Sequence, residues 1–174
     1  MHAGHANAAE RRLHDFPGMT LGVSQLRPQS RGSIHAVSPD ISVQPRIAPN
    51  FLDAEEDRRV IVAGMKLGRR IMERSPMDAY RVHEMQPGPE CDDDASWLAF
   101  ARANGQTIYH AGGTCRMGTD AGSVVDADLR VRGVEGLRVV DASVLPTTVS
   151  GNIQAAVMAV AARAAQKMGA GPSD

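Results

Sequence analysis

The feature that most constrains this chain is its last long apolar tract, residues 151–168, composed almost wholly of Ala, Val and Met with a few polar interruptions. The composition predicts a helix from Gly151 to Met168 that is apolar on most sides, and such a helix is stable only where other elements cover it. The rest of the chain must therefore supply packing surface. Just upstream, Leu137–Val140 reads as a short strand, so the end of the chain is a strand, a turn and a buried helix.

Charge and composition remove several classes. The 174 residues carry 19 basic against 20 acidic side chains and six aromatics, so they lack both the basic stripe and the stacking platform of a nucleic-acid binder. No apolar run reaches the roughly 20 residues of a membrane-spanning helix. Met1–Glu10 lacks the charged-then-apolar order of a signal peptide, so a soluble, cytoplasmic protein is expected. Cys91 and Cys115 stand apart without a CxxC or HxxC partner and read as free thiols. A GxGxxG turn, the usual dinucleotide cradle, is missing. Gly113–Gly118 has the spacing of a phosphate loop, but Thr119 and Asp120 stand where that loop needs Lys and then Ser or Thr.

Local patterns order the remainder. Ala6–His14 is a polar, helix-like tract. Met19–Leu26 alternates as a half-buried strand and ends at Pro28, and Ile34–Val37 reads as its hairpin-like return. Pro45 and Pro49 keep the next segment extended or at a sheet edge. Asp53, with Glu56 three positions on, has capping-box spacing for a helix over Ala54–Arg74 that Pro76 stops. Its apolar positions are Val60, Ala63, Met65, Leu67 and Ile71, and most of its arginines read as a solvated face. Tyr80–Glu90 is a loop. Asp92–Asp94 lack the later residues of a calcium loop and read as the acidic start of a short helix over Ser96–Ala103. Thr107–Tyr109, Ser123–Val125 and Leu129–Val131 are further short strands between glycines.

Three places could carry chemistry. His110 stands between a strand end and Ala111-Gly112-Gly113, where glycines let backbone approach a ligand, and an imidazole titrates near pH 6.5 in water, which suits a proton acceptor. A satisfied structural histidine is the competing reading. Pro146–Asn152 leads into the last helix, whose N-terminal amides and dipole favour an anionic group, with simple capping by Ser150 or Asn152 as the alternative. Asp141 ends a strand and either faces a ligand crevice or forms a turn. His2 and His5 could pair around a metal, whereas His14, His35 and His83 lack companion ligands.

Several ordered blocks carry a resemblance. They are Tyr109-His110-Ala111-Gly112-Gly113-Thr114-Cys115-Arg116-Met117-Gly118, Val124-Val125-Asp126, the run from Leu129 to Pro146, and Ser150-Gly151-Asn152, with Leu26–Ser33 and Pro49–Leu52 upstream. Together they resemble the C-terminal part of the glucose-methanol-choline (GMC) family of FAD-dependent oxidoreductases, above all its choline-dehydrogenase-like alcohol dehydrogenases, from about Met19 to Met168. The resemblance implies that His110 accepts the hydroxyl proton of a small-molecule alcohol while hydride passes to flavin N5. Asn152 would be the partner that hydrogen-bonds the substrate oxygen, a position held by Asn or His in different members. It also implies that Asp141 and Ala142 lie against the ribityl or pyrophosphate portion of FAD, and that Asn152, Ile153 and Gln154 approach the flavin pyrimidine edge. Some members have Pro shortly after the Asn, whereas Ala155 and Ala156 follow here.

The implied fold is α/β, an α+β fragment. It combines a small antiparallel substrate-domain sheet and helices with the last strand and helix of an FAD-binding domain. The expected organisation is a tail or truncated helix (1–18), part of a substrate-binding domain (19–109), the active-site loop with the end of the FAD-binding domain (110–168) and a disordered tail (169–174). No metal is expected. Complete members begin with the ADP-binding unit that this chain lacks, so an N-terminal FAD-binding piece is an expected partner. The chain alone is expected to hold FAD weakly, turn over no alcohol and associate. The competing functions are a non-catalytic interaction module that retains the fold and a metal-dependent hydrolase built on scattered His and Asp residues.

Overall fold

The computed structural model describes the backbone of residues 5–7 and 12–13 and the whole of residues 16–169. The fold is α/β, with three helices and two small antiparallel sheets among the described residues. The chain divides into two units, Met1–Gln25 with Leu52–Gln106, and Leu26–Phe51 with Thr107–Asp174. The helix-like tract expected at 6–14 lies partly outside the described residues. Its described parts are β1 (His5–Asn7) and β2 (Arg12–Leu13), which pair antiparallel instead. Of the expected tail at 169–174, Gly169 closes a helix and the rest lies outside the described residues.

In the first unit α1 (Glu55–Met72) begins after Ala54, and no side chain caps it, so the expected Asp53 cap is not formed. The Arg58 guanidinium takes the Leu52 and Asp53 carbonyls, and Leu52 adopts a left-handed φ of 60°, which moves the helix start past Asp53. Three acids in the first turn, Glu55, Glu56 and Asp57, meet the helix dipole instead. The buried stripe also differs from the expected one: Val62 and Gly68 are buried, whereas Leu67 and Ile71 are exposed. The reason is what faces the helix. Val62 joins Trp97 and Cys91 in one apolar cluster, with Ile61 and Met65 packed against it.

Met19–Leu26 forms no strand; Leu21 and Val23 lie against α1, where glycines admit them. A Cβ at Gly64 would sit 2.5 Å from Val23 Cγ1, and one at Gly68 would sit 3.2 Å from Leu21 Cδ2. Asp57, only 2% exposed, accepts from Gln25 Nε2 at 3.3 Å at the end of the same segment. The second helix, α2 (Asp94–Asn104), has the acidic start expected of it: Asp93 Oδ1 accepts the Ser96 amide at 2.7 Å and Ser96 Oγ accepts the Asp93 amide at 3.2 Å. Arg69 is not on a solvated face. It lies 4.2 Å over the Trp97 ring and donates to the carbonyls of Cys91 and Gly88 and to Glu84, and its side chain is 18% exposed.

In the second unit β3 (Ser33–His35) pairs with β4 (Arg46–Ala48) in antiparallel register, Ile34 opposite Ile47. The partner expected for Ile34–Val37 was Met19–Leu26; the actual partner lies between Pro45 and Pro49, which keep it extended. The core is Val125, Leu129, Val144 and Ala164, with Val125 and Val144 wholly inaccessible. Of the short strands expected here, Ser123–Val125, Leu129–Val131 and Leu137–Val140 are reduced to single bridges, Met117 with Val125, Val125 with Val131 and Arg130 with Arg138, and Thr107–Tyr109 forms neither strand nor bridge. Turns interrupt them. Asp126 Oδ1 takes the amides of Asp128 and Arg130, and Leu129, Gly133 and Gly136 all have positive φ. The final helix, α3 (Gln154–Gly169), presents Val160 and Ala164 to this core and pairs Lys167 with Asp128. Its expected burial on most sides is not found: Ala164 is its one buried residue and Met158 is 61% exposed. Within the described residues only one stripe of the helix is covered.

Two predictions follow from these contacts. A methyl group at Gly64 is worth about 1 kcal/mol in helix propensity, but it meets a β-branched side chain with few rotamers, and overpacking costs about 1–3 kcal/mol. Gly64→Ala is expected to lower the thermal midpoint by roughly 2–4 °C, and adding Val23→Ala to reverse the loss; a higher midpoint for the single variant would contradict the contact. The second concerns acid. Arg116 donates to both Asp120 oxygens at 2.8 and 2.5 Å, and these bonds hold the carboxyl well below 3.8. With the folded-state value depressed, the stabilisation is present above 3.8 and lost as pH falls through the folded value. Asp120→Asn should be slightly less stable than wild type near neutral pH and converge with it in strong acid, as followed by thermal melts across pH.

Candidate functional site

The second unit brings two stretches, well separated in sequence, into one hydrogen-bonded arrangement. The first carries His110. Its predecessor Tyr109 adopts φ 61°, a left-handed conformation that is unusual for an aromatic residue, and the Tyr109 amide donates to Thr107 Oγ1 at 3.0 Å. His110 is half-buried. Beyond it the chain lies directly on the tight helical turn Ala142–Val144. The Cys115 amide donates to Ser143 O at 3.0 Å and the Met117 amide to Val144 O at 2.9 Å. Gly112 makes the approach feasible, since a Cβ there would stand 2.7 Å from the Ala142 carbonyl oxygen.

Asp141 opens that turn from an extended backbone, with Oδ1 accepting the Ser143 amide at 2.8 Å and the Ser143 hydroxyl. Its carboxylate is exposed and serves as the cap of the turn, which is the turn-forming alternative. Ala142 is half-buried, its carbonyl bonded to the Leu145 amide and pressed by Gly112. Asn152 is exposed, Ile153 half-buried and Gln154 exposed at the first position of α3. Ile153 O accepts the Val157 amide at 2.9 Å. The amides of the first helical turn have no acceptor within the helix, so they and the helix dipole favour negative charge near Asn152–Gln154.

The structure thus ties the His110 loop to the Asp141–Val144 turn. It makes no hydrogen bond between His110 and Asn152 among the described residues. Arg27 is a contributor that local pattern misses: its Nε donates to Ser150 Oγ at 2.7 Å across 123 residues. Tyr109 is another, because its left-handed backbone has no signature in an aromatic residue. Among the described residues no group of three or more His, Cys, Asp or Glu side chains is placed to hold a metal ion, and no helix is long and apolar enough to cross a membrane. The His2 and His5 side chains lie outside the described residues.

A family model described as GMC oxidoreductase, for the C-terminal domain, matches residues 28–161. The chain is 43% identical over 149 residues to an alcohol dehydrogenase (acceptor) from Pseudomonas putida, covering 86% of this chain and 27% of that protein. It is 38% identical over 151 residues to an oxygen-dependent choline dehydrogenase from Xanthomonas axonopodis pv. citri, covering 87% of this chain and again 27% of the relative. Among solved structures, pyridoxine 4-oxidase from Mesorbium loti superposes with a TM-score of 0.77 at 36% identity, over 82% of this chain and 28% of the other. Formate oxidase from Aspergillus oryzae superposes with a TM-score of 0.80 at 28% identity, over 90% of this chain and 29% of the other. The chain therefore spans little more than a quarter of the length of these relatives.

The close approach at Gly112 yields a test. Gly112→Ala must push the His110 loop off the Ala142 carbonyl, an overpacking cost of about 1–3 kcal/mol. Hydrogen exchange of the Cys115 and Met117 amides is expected to accelerate in this variant, while the Trp97 amide on α2 keeps its rate. Unchanged protection at both positions would show that the loop does not depend on the contact.

Proposed function

The chain belongs to the GMC oxidoreductase family, and on that premise we propose that it is the C-terminal portion of an FAD-dependent alcohol oxidoreductase, acting on the CH–OH group of small alcohols. The observation that carries this reading is the seating of the His110 loop on the Asp141–Val144 turn by the Cys115 and Met117 amides. That contact supports an imidazole held by rigid backbone next to two of the residues proposed to meet the cofactor.

The residues fit one part of FAD. An exposed Asn152, the first-turn amides of α3, which have no acceptor within the helix, and the dipole behind them suit the pyrimidine edge of a flavin, which becomes more negative on reduction. Asp141 and Ala142 suit the ribityl or pyrophosphate portion, with Asp141 Oδ1 already used within its turn. Nothing among the described residues forms the strand, glycine turn and helix that hold an ADP moiety. The adenine end is accordingly assigned to a further, N-terminal polypeptide. When bound, FAD supplies the hydride acceptor.

The chain's own residues supply the rest. An imidazole nitrogen of His110 takes the proton from the substrate hydroxyl, which raises electron density on the carbon that gives up hydride. Asn152 donates through Nδ2 to the same oxygen and orients it. A carboxamide cannot serve as a base, so the proton falls to His110 alone. A second reading, a non-catalytic interaction module, draws on the exposed apolar surface of α3, including Met158.

The two readings separate in one experiment. The chain is co-expressed with a polypeptide that carries a GxGxxG unit, and alcohol-dependent dye reduction is followed. His110→Ala is expected to lower kcat roughly 10²–10⁴-fold and Asn152→Ala about 10²-fold, with the chain alone inactive. Undiminished turnover in His110→Ala would refute the assignment of the base, and stoichiometric flavin and turnover in the chain alone would refute the assignment of the adenine end to a further polypeptide.

A further inference from the structure

The turn that carries Asn152 has little of its own to hold it. The Gly151 amide closes back on Val149 O at 3.0 Å, and Gly151 sits at φ 137°, a conformation open to glycine and few other residues. Asn152 is exposed, and helical bonding begins only at Ile153 O. Ser150–Asn152 therefore stands outside the helix, and a free turn of this kind samples many positions.

The anchor comes from far away in sequence. Arg27 Nε donates to Ser150 Oγ at 2.7 Å, a short bond from a charged donor. The base of Arg27 is itself fixed. Pro28 follows it with a locked φ, and the Arg31 guanidinium closes the next turn onto the carbonyls of Pro28 at 2.9 Å and Ser30 at 3.1 Å. Asn50 Nδ2 donates to Arg31 O at 3.0 Å, which ties that turn to the chain just past β4. A continuous series of contacts thus runs from the β3–β4 hairpin through Arg31 and Arg27 to Ser150, two residues before Asn152.

We propose that Arg27 is a positioning residue for alcohol oxidation, setting the place of the Asn152 carboxamide through Ser150 while touching neither substrate nor cofactor. The inference rests on the reading of Asn152 as donor to the substrate oxygen. Each partner has a distinct consequence. Arg27→Met keeps the length of the side chain but removes the donor, Ser150→Ala removes the acceptor, and Arg27→Lys returns a donor to nearly the same place.

The test has a structural arm and a kinetic arm. In the full chain, hydrogen exchange of the Gly151 amide is expected to accelerate about tenfold in Arg27→Met and in Ser150→Ala, no further in the double variant, and to be restored in Arg27→Lys. The amides of Cys115 and Met117 should be unaffected. In the enzyme assembled with its FAD-binding partner, both single variants should lower kcat roughly 10–100-fold with KM changed less than about twofold. Unchanged Gly151 protection, or additive effects in the double variant, overturns the proposal. So does normal kcat in the single variants of a wild type that turns over. Absence of turnover in the assembled wild type overturns the alcohol-oxidation reading and this role with it, and the exchange arm then reports separately whether the anchor exists.

Discussion

Backbone bonding between the Gly112–Met117 segment and the Ala142–Val144 turn is the constraint on which the second unit depends. It joins two parts of the chain that have no regular sheet between them among the described residues, and it involves the wholly inaccessible Val144 directly and Val125 through its bridge to Met117. Amides and carbonyls near such a core must find partners or suffer desolvation, so the alignment is set by hydrogen bonding as well as by apolar contact. Gly112 is the geometric condition, since any side chain at that position would displace a backbone oxygen. His110 inherits its place from this arrangement. One residue, Ala111, separates it from the glycine, and Tyr109 behind it is held in a left-handed conformation, so the imidazole emerges from backbone with little freedom.

What was legible in the sequence follows from how local each cause is. The acidic start of α2 was readable because Asp93 and Ser96 satisfy each other within one turn. The ends of α1 were nearly right because Pro76 and the run of acids act locally. The cap at Asp53 was not, because Arg58 claims the carbonyls there and Leu52 turns the chain first. The pairing of β3 could not be read from alternation alone: Met19–Leu26 alternates as a strand does, yet its contacts are with glycines on α1. Around His110 the glycine pair pointed to close backbone approach, but the surface being approached, Ala142 and Leu145, lay some thirty residues away. Ser150 stood out only as a possible cap and Arg27 only within the block Leu26–Ser33, and nothing local paired the two across 123 residues.

Arg69 shows the same limit within the first unit. An arginine on a helix with many other basic residues looks solvated by count. Its guanidinium nevertheless lies over Trp97 and serves two backbone carbonyls and Glu84, a set of contacts that suits a planar, multidentate donor. α3 errs in the opposite direction. Its composition demands burial on most sides, and the described residues bury one stripe through Val160 and Ala164. At about 25 cal/mol per Å² of apolar surface, leaving the other sides in water forgoes several kcal/mol for a helix of this kind. The composition of α3 thus describes a more extensive packing environment than the one this unit provides.

The two residues proposed for the chemistry are held by different physical means, and the difference follows their tasks. His110 sits on a backbone fixed by the Cys115 and Met117 amide bonds to the Ala142–Val144 turn. Asn152 has no proton to exchange and needs only orientation. Its turn is bonded through side chains, Arg27 Nε donating to Ser150 Oγ. Among the described residues no hydrogen bond links the two supports directly, so the roles proposed for the imidazole and the carboxamide rest on separate contacts, the amide bonds to the Ala142–Val144 turn and the Arg27–Ser150 bond.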